Sequence, residues 1–169
     1  ERFHVEYDPT IREVHEGNGN LDSYIWEEPQ HGASYAIGAD WAKEQDKTVI
    51  ATMRYDVKPH YMVKLTRVNK RSWPEIIKMF NDDIEHYQAV GFHDKTGLGS
   101  VVNDYVDFSD TTRGFVMIGR PPTQLLLDSI TSFENRDYRL PKISKYVNYS
   151  DPTAAPSYTA HANITLADA

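Results

Sequence analysis

Tyr35-Ala36-Ile37-Gly38-Ala39-Asp40 and Ala89-Val90-Gly91-Phe92-His93-Asp94 decide the reading of this chain: each is an apolar, strand-like run that ends in an aspartate. A lone buried carboxylate is costly, so two of them at strand ends call for a compensating cation, and the pair reads as a divalent-metal site. The first run continues Asp40-Trp41-Ala42-Lys43-Glu44-Gln45-Asp46-Lys47-Thr48, where a turn brings Asp46 back toward the next strand and within reach of the same metal. The second continues Asp94-Lys95-Thr96-Gly97-Leu98-Gly99-Ser100, with glycines for a tight strand-to-helix turn and Ser100 as a helix cap. Each motif alone also has an N-cap or Asx-turn reading. Their joint occurrence in one small α/β chain favours the metal.

Composition narrows the chemistry. The 169 residues suit one domain with a short arm and can bury a core. There is no cysteine, so oxygen or imidazole must hold any metal, which favours Mg²⁺ or Mn²⁺ over structural zinc and rules out a thiolate nucleophile. No stretch approaches the ~20 apolar residues of a membrane span and no signal-peptide pattern opens the chain, so a soluble, intracellular protein is expected.

The net charge of −7 is unevenly spread. Residues 1–32 hold eight acids (Glu1, Glu6, Asp8, Glu13, Glu16, Asp22, Glu27, Glu28) against Arg2 and Arg12, which leaves the rest of the chain at only −1. From Arg113 to Lys145 there is a local excess of +3, with Arg113, Arg120, Arg136, Arg139, Lys142 and Lys145 against Asp128, Glu134 and Asp137. Such a stretch follows a phosphate backbone or is simply a solvated basic face.

The acidic first 32 residues, with Gly17-Asn18-Gly19-Asn20 at their centre, read as a connecting arm or irregular hairpin, and residues 33–169 as the folded body. Residues 34–40, 47–57 and 60–67 predict three strands of an antiparallel meander. Ser72-Trp73-Pro74-Glu75 is a capping box, and Trp73, Ile76, Ile77, Phe80 and Ile84 line one face of the helix that follows. A strand is predicted at 89–93, a helix at 100–107, a strand at Phe115-Val116-Met117-Ile118 and a helix from Pro122 to Glu134. Tyr138-Arg139-Leu140-Pro141 is extended, 151–158 a loop, and a last helix begins at His161. Strands alternating with helices imply parallel pairing in this half.

This order is that of the ribonuclease H-like fold, a mixed sheet of a three-strand antiparallel meander plus parallel strands flanked by helices. Within it, Gly38-Ala39-Asp40-Trp41-Ala42 with Asp46-Lys47-Thr48, Asp94-Lys95-Thr96-Gly97-Leu98-Gly99, and Arg139-Leu140-Pro141 resemble the C-terminal nuclease domain of the large terminase subunit of tailed bacteriophages, over roughly residues 33–169. The resemblance implies an endonuclease that cuts concatemeric double-stranded DNA during genome packaging by two-metal phosphodiester hydrolysis with Mg²⁺ or Mn²⁺. It implies Asp40 and Asp94 as the first two metal ligands and Asp46 as an auxiliary one. Its partners would be the terminase ATPase domain upstream in the same polypeptide, the portal and the small terminase subunit, in the cytoplasm of the infected host. No Gly-x-x-x-x-Gly-Lys-Ser/Thr phosphate loop occurs in this chain.

The third carboxylate departs from the family pattern. Asn163 stands where the family has aspartate at the start of the last helix, and Asp168 is the alternative; five residues apart, the two point about 140° from each other on a regular helix. Lys95, Arg120, Arg136 and Arg139 are the candidate DNA contacts. His93 reads as structural or as an orienting group, Tyr146, Tyr149 and Tyr158 as packing or base-stacking groups, and His161 as a helix cap. Rival readings are another ribonuclease H-like enzyme, such as a junction resolvase or integrase-like transposase, and a non-catalytic phosphate-binding fragment of the sugar-kinase/actin type. The latter needs glycine after the aspartate, where this chain has Trp41-Ala42.

Overall fold

Alternation along β3 (Tyr35–Asp40) explains how the sheet is faced. Tyr35, Ile37 and Ala39 are buried, while Gly38 and Asp40 on the other side are exposed. The structure, a computed structural model, describes residues 12–17, 19–42, 46–94, 102, 112–115 and 122–141, with 94, 112–115 and 122–126 described by their backbone. Its other strands are β1 (Arg12–Glu16), β2 (Leu21–Ile25), β4 (Thr48–Arg54), β5 (His60–Val68), β6 (Val90–Asp94), β7 (Thr112–Phe115) and β8 (Tyr138–Arg139); its helices are α1 (Trp73–Tyr87) and α2 (Pro122–Glu134). They form one sheet in the order β1-β2-β5-β4-β3-β6-β7, with β8 beside the start of β5. The meander β3-β4-β5 is antiparallel, and β6 and β7 add in parallel. The expected mixed sheet is therefore present.

The helix α1 starts where the capping box predicts. Glu75 Oε2 accepts from the Ser72 backbone N–H at 2.9 Å and from Ser72 Oγ at 2.6 Å, and Pro74 lies in the first turn. The helix ends at Gln88 in the left-handed region, φ 48°, with the Ala89 N–H bonded to the Ile84 carbonyl at 3.0 Å, which turns the chain into β6. Ile76, Ile77, Phe80, Ile84 and Tyr87 pack on Tyr35, Ile37, Ala39, Trp41 and Ile50. Each wholly buried side chain of this kind, Phe80 or Ile37, contributes about 1.5–3 kcal/mol. Contact is close at β6: a Cβ on Gly91 would lie 2.5 Å from Ile84 Cδ1, so the end of the Ile84 side chain would have to move to admit one. A second cluster, Tyr24, Trp26, Met62 and Leu65 with Val49, Ala51 and Leu140, covers the opposite face. Between them β5 carries an irregularity, since Thr52 pairs Lys64 but Met53 pairs Met62, leaving Val63 as the extra residue.

Of the two forms expected for the acidic arm, its described residues take the hairpin, and that hairpin is part of the sheet. β1 pairs β2 and β2 pairs β5. The Glu27 carboxylate accepts from Tyr35 Oη at 2.9 Å, Tyr61 Oη at 2.8 Å and Arg54 Nη1 at 3.1 Å, and its carbonyl accepts from Tyr87 Oη at 2.8 Å. The arm's acidity has a local cause: Glu16 pairs with Arg71, Asp22 with Lys47 and Glu27 with Arg54, all cations of the body, and Glu28 Oε2 lies 3.1 Å from His86 Nε2.

Of the strand predicted at 115–118, Phe115 is described and belongs to a strand that begins earlier. β7 spans Thr112–Phe115, because the parallel ladder pairs Gly91 through Asp94 with Thr112 through Phe115. Backbone pairing with β6 places its start at Thr112, three residues before the predicted one. Residues 116–118, the helix at 100–107 apart from the buried helical residue Val102, and everything from residue 142 on lie outside the described residues.

Candidate active site

The ladder between β3 and β6 brings the two aspartates together. It pairs Ala36 with Val90, Ile37 with Gly91, Gly38 with Phe92 and Ala39 with His93, so the next position on both strands is Asp40 and Asp94. Neighbouring strands lie about 4.8 Å apart, so two strand ends of the same polarity present these residues side by side. Asp40 is exposed, on the face away from α1.

Just beyond that pair, the buried face is tied by side chains. Trp41 Nε1 donates to His93 Nδ1 at 3.1 Å, and both residues are buried against Phe80. Accepting at Nδ1 requires a neutral His93 with its proton on Nε2. His93 is thus held inside the core, with its ring fixed by Trp41.

The loop after Asp40 is closed at its neck by Thr48, whose Oγ1 accepts from the Ala42 N–H at 3.1 Å and donates to the Ala42 carbonyl at 3.4 Å. Asp46 is exposed in this loop and lines a cleft with Lys70, Arg71, Ser72 and Trp73, at the start of α1 and so on the α1 side of the sheet. Among the described side chains no three carboxylates or imidazoles cluster as a metal site; the side chain of Asp94 is not among them. Lys95, Arg120, Asn163, Asp168, Tyr146, Tyr149, Tyr158 and His161 lie outside the described residues.

Arg136 and Arg139 are exposed, but at the far end of the sheet. β8 pairs with His60 and Tyr61, whereas the Asp40 end of β5 is marked by Arg67, which pairs Val49, which in turn pairs Asp40. Six residues of strand separate Tyr61 from Arg67, roughly 20 Å. Sequence reasoning missed Arg67. It shares the Asp40 face, two strands away, is half-buried, and has no ion-pair partner among the described residues. Its signal was positional: in the alternation of β5 it falls on the same side as Leu65.

No family model and no curated protein sequence matches the chain. Solved structures do. The large terminase nuclease from thermophilic phage G20c with bound magnesium is 20% identical, with 81% of this chain and 69% of that chain covered at a TM-score of 0.65. The fold is that of large terminase nucleases. The same G20c nuclease with bound zinc aligns over 81% of this chain and 76% of that chain, at 20% identity and a TM-score of 0.62. The nuclease domain of the large terminase of Thermus phage P74-26 aligns over 81% and 66%, at 18% identity and a TM-score of 0.57. A terminase nuclease fold on this chain accounts for the meander, the parallel strands and the helix between β5 and β6.

Proposed function

We propose that this chain is a divalent-metal-dependent endonuclease acting on double-stranded viral DNA during genome packaging. The observation that carries the reading is the shared register of Asp40 and Asp94 at adjacent parallel strand ends, on a fold whose solved examples include nucleases crystallised with magnesium and zinc. The residues fit such ions. Carboxylate oxygens without thiolate suit hard cations, and Asp40 is open to solvent.

Asp40 and Asp94 would hold the metal, two ions in the full form of the proposal, with either Asn163 or Asp168 as a further ligand; Asp46, in the cleft beside α1, is the proposed ligand that this placement favours least. Bound there, Mg²⁺ or Mn²⁺ supplies charge neutralisation at the scissile phosphate and a lowered pKa for the attacking water. The protein's own part is to hold the carboxylates at fixed spacing and to seat the duplex. For seating, Arg67 lies at the Asp40 end of the sheet on the Asp40 face, and Arg136 and Arg139 lie at the other end, where Arg139 pairs Tyr61 and so shares the α1 side. Lys95 and Arg120 complete the proposed DNA contacts. The wider proposal has the terminase ATPase domain in the same polypeptide, the portal and the small terminase subunit as partners, and the infected host cytoplasm as the location.

The test is nicking of supercoiled plasmid. Cleavage should require Mn²⁺ or Mg²⁺ and stop with a chelator; cleavage indifferent to chelator would overturn the metal reading.

A further inference from the structure

The ladder between β3 and β6 has its last pair at Ala39 and His93, one residue short of the two carboxylates. Asp40 and Asp94 therefore sit one residue past the last pair between their own two strands, each still paired on its outer side, Asp40 with Val49 and Asp94 with Phe115. Two like charges at this point repel whenever no cation lies between them, and repulsion acts to splay the strand ends.

One contact opposes this from the buried side. Trp41, next after Asp40, donates through Nε1 to Nδ1 of His93, the residue just before Asp94, at 3.1 Å. Trp41 is 7% exposed and His93 2%, so water does not compete for the bond. The two rings are also held in place. Trp41 meets Phe80 edge-on at 5.4 Å and Trp73 at 6.5 Å between centroids, and His93 meets Trp41 at 5.7 Å and Phe80 at 6.3 Å. Phe80 belongs to α1, so the helix anchors both strand ends at once.

We propose that Trp41 and His93 are positioning residues: their hydrogen bond is a strut that fixes the spacing of Asp40 and Asp94 for divalent cations. Each strut residue is one peptide from its aspartate, so a shift at the strut passes directly to the carboxylate. The inference rests on the metal-nuclease reading above.

Three variants of the full chain test it. Trp41→Phe keeps an aromatic ring against Phe80 but deletes the donor. His93→Leu deletes the acceptor, and His93→Asn retains one, its Oδ1 standing near the position of Nδ1. The readouts are Mn²⁺ titration by calorimetry, the Mn²⁺ concentration for half-maximal plasmid nicking, and the thermal midpoint without metal. Loss of groups that orient metal ligands weakens binding about 10- to 100-fold, and that loss is expected for Trp41→Phe and His93→Leu, with His93→Asn closer to the parent. A purely structural bond would lower the midpoint and leave the Mn²⁺ affinity of the folded protein unchanged. Parental Mn²⁺ affinity in folded Trp41→Phe or His93→Leu overturns the strut, as does His93→Asn failing as badly as His93→Leu. Should Trp41→Phe not fold, the two His93 variants decide. A parent chain that neither binds Mn²⁺ nor nicks overturns the nuclease reading itself, and the strut with it.

Discussion

Asp22 Oδ2 accepts a hydrogen bond from Lys47 Nζ at 2.9 Å, and the Asp22 side chain has no exposed surface. This ion pair joins the N-terminal hairpin to the residue between Asp46 and Thr48, and so to the loop that follows Asp40. Taking the lysine away leaves the fully buried Asp22 carboxylate short of its cation, at a cost of about 3–5 kcal/mol. Lys47→Met should therefore lose that much in chemical denaturation. Lys47→Met combined with Asp22→Asn should regain part of it, because the buried negative charge is gone; a double variant less stable than Lys47→Met would show that the pair is not the cause.

His15 extends the same network to the surface. Its Nδ1 lies 3.1 Å from Asp22 Oδ1 and its Nε2 3.3 Å from Glu13 Oε2. Burial alone would push its pKa down, but the hydrogen bonds to Asp22 and Glu13 prevail and the pKa is raised above the usual 6.5. The folded state then binds the proton more tightly than the unfolded chain. Its contribution is complete below about pH 6.5 and is lost as pH rises through the raised value. The thermal midpoint of the parent should fall over that window relative to His15→Asn; parallel curves for the two proteins would remove His15 from the account.

Most of this fold was legible because its signals are local. The alternation of β3, the Ser72-to-Glu75 capping box and the spacing of Ile76, Phe80 and Ile84 each specify their own element. The two aspartates were legible because strand patterns place them at strand ends, though only pairing shows that those ends are neighbours. What escaped the sequence depends on distant partners. Glu27 looks like arm acidity until Tyr35, Arg54 and Tyr61 converge on it, and Trp41 and His93 lie 52 residues apart. The start of β7 at Thr112 likewise shows only in its ladder with β6.

DNA contact at the Asp40 end predicts that Arg67→Gln weakens binding of all sequences alike and flattens the salt dependence by about one unit of slope. Arg136→Gln with Arg139→Gln reads the other end of the sheet. A reduced slope means that the duplex reaches β8, and an unchanged one confines it to the Asp40 end. An unchanged slope for Arg67→Gln excludes that residue from the interface.

Asn163 and Asp168 compete for the third ligand position. An anionic oxygen holds Mg²⁺ or Mn²⁺ better than a neutral amide oxygen, so Asn163→Asp should raise both Mn²⁺ affinity and nicking, with Asp168→Asn nearly silent. Loss of activity in Asp168→Asn, together with no gain in Asn163→Asp, would assign the role to Asp168.

The central claim is that Asp40 and Asp94 together hold the catalytic metal, and Asp40→Asn tests it most directly. Measured side by side with the parent for Mn²⁺-dependent nicking of supercoiled plasmid and for thermal midpoint without metal, the variant should lose cleavage while its midpoint stays level or rises, since one of two repelling charges is gone. Undiminished nicking by Asp40→Asn would contradict the account.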